Sequence, residues 1–111
     1  MLKKKNRVNK HLFTDIIQKG VVYYSQNLSL RFIKTQNQKP RFSVYVPKKE
    51  LKSAVKRNLL RRRAQAVLRK ILTKVDQKIN CVILLKKGAL DLPFLKLEDE
   101  IIFLLKKARI L

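Results

Sequence analysis

The residues able to do chemistry in this 111-residue chain crowd between Val46 and Lys70, VPKKELKSAVKRNLLRRRAQAVLRK. There Lys48, Lys49, Lys52, Lys56, Arg57, Arg61, Arg62, Arg63, Arg69 and Lys70 stand against one acid, Glu50. Ammonium and guanidinium groups at this density hold anions, and arginine is suited to bidentate contact with phosphate oxygens. Groups for covalent chemistry are scarce. His11 is the only histidine and Cys81 the only cysteine, so neither a Ser-His-Asp nor a Cys-His pairing is credible, and ligand-spaced clusters for zinc are absent. Glu98, Asp99 and Glu100 are consecutive; on a helix they point in different directions, and they read as complements to the dipole at a helix start rather than as a metal cluster.

The basic stretch reads as a lysine-rich loop feeding a helix. Ser53 is placed to cap it, Ala54 opens the helical register, and neither Gly nor Pro interrupts the run to Val75. At about 100° per residue, Leu60, Ala64, Val67, Leu68, Ile71 and Val75 gather on one side, predicted to meet a core. Asn58, Arg61, Arg62, Gln65 and Arg69 fall on a broad arc away from it, with Arg57 at the border. Cations near a helix start are unfavourable by roughly 0.3–1 kcal/mol each, yet Lys48, Lys49, Lys52, Lys56 and Arg57 crowd there. Such crowding is expected where a phosphate sits on the free N–H groups. A merely solvated face would mix signs.

Around this helix the other elements follow in order. A short helix is expected from about Asn9 to Lys19, with Leu12, Phe13, Ile16 and Ile17 at helical spacing and Gly20 as its C-terminal stop. Val21–Tyr24 and Leu28–Thr35 read as strands, the polar segment Thr35–Pro40 as a turn closing a hairpin, and Arg41–Val46 as a third strand ended by Pro47. Asp76–Asn80 is a connector. Cys81–Leu85 is a continuous apolar run, as expected for a strand covered on both faces, with Cys81 a small buried hydrophobe. The last helix is expected from near Pro93 to about Ala108, with Phe94, Leu97, Ile101, Leu104, Leu105 and Ala108 on one stripe. Tyr23, Tyr24 and Tyr45 read as half-buried strand residues that could also meet bases.

Apolar residues make up 46% of the chain, enough for one packed domain, and the formal net charge is +21. A fold carrying that charge repels itself and is expected to work neutralised by a polyanion, nucleic acid first. An anionic membrane surface fits less well, because the cations spread along the chain and no apolar run reaches the ~18 residues of a membrane span. The positive N-terminus, MLKKKNRVNK, is followed by no apolar region and reads as a basic, flexible arm over residues 1–8, with no secretory signal. A cytoplasmic protein is expected.

The block Ala54-Val55-Lys56-Arg57-Asn58-Leu59-Leu60-Arg61-Arg62 resembles the "RNR" motif of the protein subunit of bacterial ribonuclease P, where a small residue precedes R-N-R-hydrophobic-K/R-R. Val46-Pro47-Lys48-Lys49 is similar to that family's V-S/A-K-K lead-in, and Phe13-x-x-Ile16-Ile17-x-x-Gly20 to its F-x-x-V-F-x-x-G helix. The chain departs from the pattern at Leu59, where the second Arg is usual, at Gln65, where another Arg is common, and at Ile17, often Phe. The resemblance implies an α/β two-layer sandwich. It would hold one mixed sheet of about four strands and three helices, in the order α-β-β-β-α-β-α, like a domain of a small-subunit ribosomal protein. It also implies a left-handed β-α-β crossover where the general rule predicts a right-handed one.

Function follows as a further implication of the likeness. Lys52, Lys56, Arg57, Asn58, Arg61, Arg62, Gln65 and Arg69 would face ribonuclease P RNA. Phe13 and Ile17, alternatively plain core residues covering the sheet, would line a cleft for the single-stranded 5′ leader of precursor tRNA. Lys48, Lys49, Lys86 and Lys87 would stand at its edge, since an apolar wall with a basic rim suits single-stranded RNA. Catalysis would lie in the RNA, with magnesium held there and none bound tightly by the protein, and no dedicated protein partner is expected. The competing reading is a small ribosomal or other structural RNA-binding protein. Composition does not separate the two; the central block and its spacing to Phe13 and Gly20 favour the first.

Overall fold

The computed structural model describes residues 10–36 and 39–111, with side chains from Phe13 onward apart from residues 37 and 38. The arm expected over residues 1–8 and the helix start expected at Asn9 lie outside the described residues. Three helices and four strands follow in the order α1 (Lys10–Lys19), β1 (Val21–Tyr24), β2 (Leu28–Lys34), β3 (Arg41–Tyr45), α2 (Ala54–Ile71), β4 (Ile79–Leu85) and α3 (Phe94–Lys107). Short 3-10 turns at Leu72–Lys74 and Lys87–Asp91 flank β4.

The four strands form one mixed sheet in the order β1-β2-β4-β3, with β3 parallel to β4 and the other pairs antiparallel. The segment after β2 therefore closes no hairpin, contrary to the sequence reading. It carries the chain past β4, which sits between β2 and β3. The reason is burial: β4 reads INCVILL and only Leu84 is not fully buried, so the strand that gains most from two covered faces takes a central position. Alternation within β2 and β3 marks which face is buried but not which strand lies alongside.

Leu28, Leu30, Phe32, Phe42, Val44, Ile79, Cys81, Ile83 and Leu85 line one face of the sheet. They pack against Leu60, Ala64, Val67, Leu68 and Ile71 of α2 and Leu97, Ile101, Leu104 and Leu105 of α3. This is the expected two-layer core. α1 lies across the opposite face of β2 and β4, where Ile16 is fully buried and Arg31 Nη1 donates to the Ile17 carbonyl at 2.8 Å. Gly20 ends α1, but not by adopting a left-handed conformation. A Cβ there would lie 2.5 Å from the Ile16 carbonyl oxygen and 3.2 Å from that of Phe32, so glycine permits the close approach of helix end and strand.

Two helix termini differ from the sequence expectation. α2 ends at Ile71 and tightens into the 3-10 turn, which still delivers Val75 to the core. α3 has no acid in its first turn; Glu98 and Glu100 lie a turn later and serve tertiary contacts. Glu98 meets Lys70 Nζ at 2.7 Å. Glu100 accepts from Ser25 Oγ at 2.5 Å, from the Asn27 backbone N–H at 2.8 Å and from Asn27 Nδ2 at 3.0 Å, fastening the β1–β2 turn to α3.

Candidate nucleic-acid interface

α2 begins as the sequence predicts. Ser53, in extended backbone, accepts from the Lys56 N–H at 3.2 Å, so one of the free N–H groups of the first turn is capped by the protein itself. Lys52, Lys56, Asn58, Arg62 and Arg69 are exposed, and Arg61 and Gln65 are half-buried at the margin. Arg61 donates through Nη2 to Asn58 Oδ1, so these two act as a pair. The set is a stripe rather than a point: from Lys52 to Arg69 at 1.5 Å per residue is roughly 25 Å.

Arg57 departs from its expected role. Its Nη1 donates at 2.8 Å to both the Leu51 and the Lys52 carbonyls, which leaves only part of the guanidinium for a phosphate and ties down the loop carrying Lys48, Lys49 and Lys52. Arg63, no part of the expected site, donates to the carbonyls of Leu90 at 3.2 Å and Leu92 at 2.5 Å and braces the segment before α3. Glu50, the lone acid of the basic run, accepts from the Lys87 N–H at 2.9 Å. The sequence offered one signal for that role: a single carboxylate among ten cations.

The Glu50 bond joins the loop after β3 to the loop after β4. It thereby gathers Lys48, Lys49, Lys86 and Lys87 at the end of the sheet where α2 starts. Phe13 of α1 reaches the same end, edge-on to Tyr45 with ring centroids 5.6 Å apart. Ile17, one turn along and half-buried, lies further down α1 where Arg31 holds the helix to the sheet. Tyr24 is 58% and Tyr45 42% exposed, and Lys86 Nζ sits 5.9 Å from the Tyr24 ring centroid. The register sets Tyr24, Ser29, Leu84 and Tyr45 in one row across the sheet, on the α1 side. Accessible rings beside lysines are what unstacked bases and their phosphates require. Tyr23 is different: it stacks on Phe32 toward the core.

Cys81 is buried, and burial pushes its thiol well above the ordinary range, away from the reactive thiolate. Among the described residues no three His, Cys, Asp or Glu come together as metal ligands, and no helix is long and apolar enough to cross a membrane.

A mixed four-stranded sheet backed by two helices, with a cationic helix face beside a ring-lined edge, defines a small α/β nucleic-acid-binding protein. Comparison with known proteins narrows the class. The sequence model of the family described as Ribonuclease P matches residues 2–109. The ribonuclease P protein component of Finegoldia magna is 29% identical over 93 residues, covering 84% of this chain and 80% of that protein. That of Mycoplasma genitalium is 24% identical over 100 residues, covering 90% and 77%. In fold, the chain superposes on a Staphylococcus aureus RNase P protein mutant with defective mRNA degradation activity at a TM-score of 0.88 and 20% identity, covering 97% of this chain and 92% of that one. The Thermotoga maritima RNase P protein gives 0.81 at 20% identity, covering 91% and 96%. The chain belongs to the ribonuclease P protein family: it is a protein subunit of the bacterial tRNA-processing ribonuclease, and RNA is its partner.

Proposed function

We propose that α2 docks on the catalytic RNA subunit while the ring-lined edge on the α1 side of the sheet holds the 5′ leader of precursor tRNA. What supports this reading is one observation: the Glu50–Lys87 bond brings four lysines to the edge where Phe13, Tyr45 and Tyr24 present their rings. A leader lying there would place its bases on the rings and its phosphates against the lysines, and α2 starts within the same loop. Arg61, Asn58 and Arg62 would meet phosphates and base edges of the RNA subunit, and Arg57 would position the loop rather than serve as a full phosphate clamp.

The chemistry is assigned to the RNA subunit. Three of the seven acids, Glu50, Glu98 and Glu100, are engaged by protein donors. Magnesium is assigned to the RNA, with the protein's part confined to binding, orienting the leader and lowering phosphate repulsion. The cytoplasm, where precursor tRNA is made, is the proposed compartment, and no dedicated protein partner is invoked. The reading is tested by reconstitution at low magnesium with a bacterial ribonuclease P RNA and a precursor tRNA. Faster 5′ cleavage with the protein is expected; equal rates with and without it overturn the proposal.

A further inference from the structure

A second cluster of cations lies at the other end of the sheet. Lys34 closes β2 and pairs with Ile79 at the start of β4. The neighbouring Thr35 N–H donates to the Lys78 carbonyl at 3.0 Å. Gln77 Nε2 in turn donates to the Arg109 carbonyl, and Lys74 closes the 3-10 turn just before. Lys34, Lys74, Lys78 and Arg109 are all exposed. Among the described residues none of the four makes an ion pair, and Asp76 is the one acid in that turn.

Arg109 occupies the position after the C-cap of α3, with φ at 60°. The bonds Arg109 N–H to Lys106 and Ile110 N–H to Leu105 complete a Schellman motif, with Ile110 buried as its apolar contact. Glycine is the cheap residue in that left-handed conformation, and an L side chain there is strained. The Schellman bonds hold Arg109 there at a conformational cost that glycine would avoid. The seven residues of β4 separate this cluster from Lys86, roughly 23 Å at ~3.3 Å per residue, against a Debye length of about 8–10 Å. A polyanion held at the start of α2 lies beyond that reach, whereas the far end of the α2 stripe, Arg69, is only five residues from Lys74.

We propose that Lys34, Lys74, Lys78 and Arg109 form a second RNA-binding surface, which takes the phosphate backbone of a duplex segment distinct from whatever lies on α2. The proposal rests on RNA being the partner. No tyrosine stands among these four cations, so they offer charge to a helix whose bases are stacked inside, with Phe103 a turn and more back on α3 beside Lys107. Because Cys81 is buried, a surface cysteine can be labelled selectively. An iron–EDTA probe tethered at Lys74→Cys, in full-length protein bound to a bacterial ribonuclease P RNA, is expected to cut a duplex segment different from the one cut from Val55→Cys on α2. Cutting from Val55→Cys alone overturns this proposal and leaves the α2 reading standing. Cutting from neither overturns both, and cutting confined to unpaired nucleotides overturns the duplex assignment. In parallel, Lys34→Gln with Lys78→Gln is expected to reduce the log–log salt slope of binding by about 2, at roughly 0.9 per duplex phosphate. Arg109→Gly is expected to weaken RNA binding while leaving the melting temperature equal or higher. A lower melting temperature with unchanged affinity would make Arg109 merely structural and overturn its role.

Discussion

Glu100 accepts three hydrogen bonds from Ser25 and Asn27, two of them at or below 2.8 Å, from a half-buried position. Its loss removes the acceptor of the Asn27 amide groups and leaves the Ser25 hydroxyl only the Leu28 carbonyl at 3.4 Å. At about 1–3 kcal/mol for a part-buried donor left unmade, Glu100→Ala is expected to lower stability by about 2–3 kcal/mol, read as a shift of the urea midpoint at unchanged slope. A midpoint that does not move would mean the turn is held by its backbone alone. Glu98 looks equivalent in sequence but is not. Its partner Lys70 is 58% exposed, and such surface pairs contribute roughly 0.2–1 kcal/mol. Arg57 and Arg63 make the same point among the cations: both spend hydrogen bonds on main-chain carbonyls, so neither presents its whole guanidinium to a ligand.

The loop between β3 and α2 is the element on which the proposed leader site depends. Pro47 accepts from the Glu50 and Leu51 N–H groups, Arg57 holds Leu51 and Lys52, and Glu50 holds Lys87. The backbone is pinned from three sides while Lys48 and Lys49 remain exposed. Lys48→Ala with Lys49→Ala should therefore spare the fold and cost about 1–2 kcal/mol of binding, a factor of roughly 5–30. The loss is expected for precursor tRNA carrying a leader and not for mature tRNA, as titrations of the reconstituted enzyme would show. Equal loss for both substrates would move these lysines off the leader. α2 itself carries Leu59, 51% exposed, and Val55, 78% exposed, among its cations.

For the molecule as a whole, charge decides behaviour. A net +21 is distributed over a body of 36 × 26 × 25 Å, and only one ion pair with a carboxylate relieves it among the described residues. Association with RNA should be led by counterion release. For about six neutralised phosphates the log–log salt slope of binding to the RNA subunit is expected between roughly −4 and −5. A slope near zero in a salt titration would contradict a phosphate-led interface. The acids, by contrast, are concentrated toward α3, where Glu98 and Glu100 are engaged in tertiary contacts.

The elements and the cationic helix were legible in the sequence because both are local properties. Hydrophobic period sets α2 and its buried face, Ser53 caps it, and a run of ten cations beside one acid implies a polyanion whatever the fold. Strand neighbours were not legible: β2 and β3 looked like a hairpin, and only competition for burial among all the strands put β4 between them. Nor could spacing show which charges are spent. Arg57, Arg63 and Glu50 find main-chain partners from other segments, and Lys34 meets Lys78 across 44 positions through the Thr35–Lys78 contact. Periodicity records what each residue wants locally. Which groups remain free for RNA is decided only when the packed chain has satisfied its own donors and acceptors.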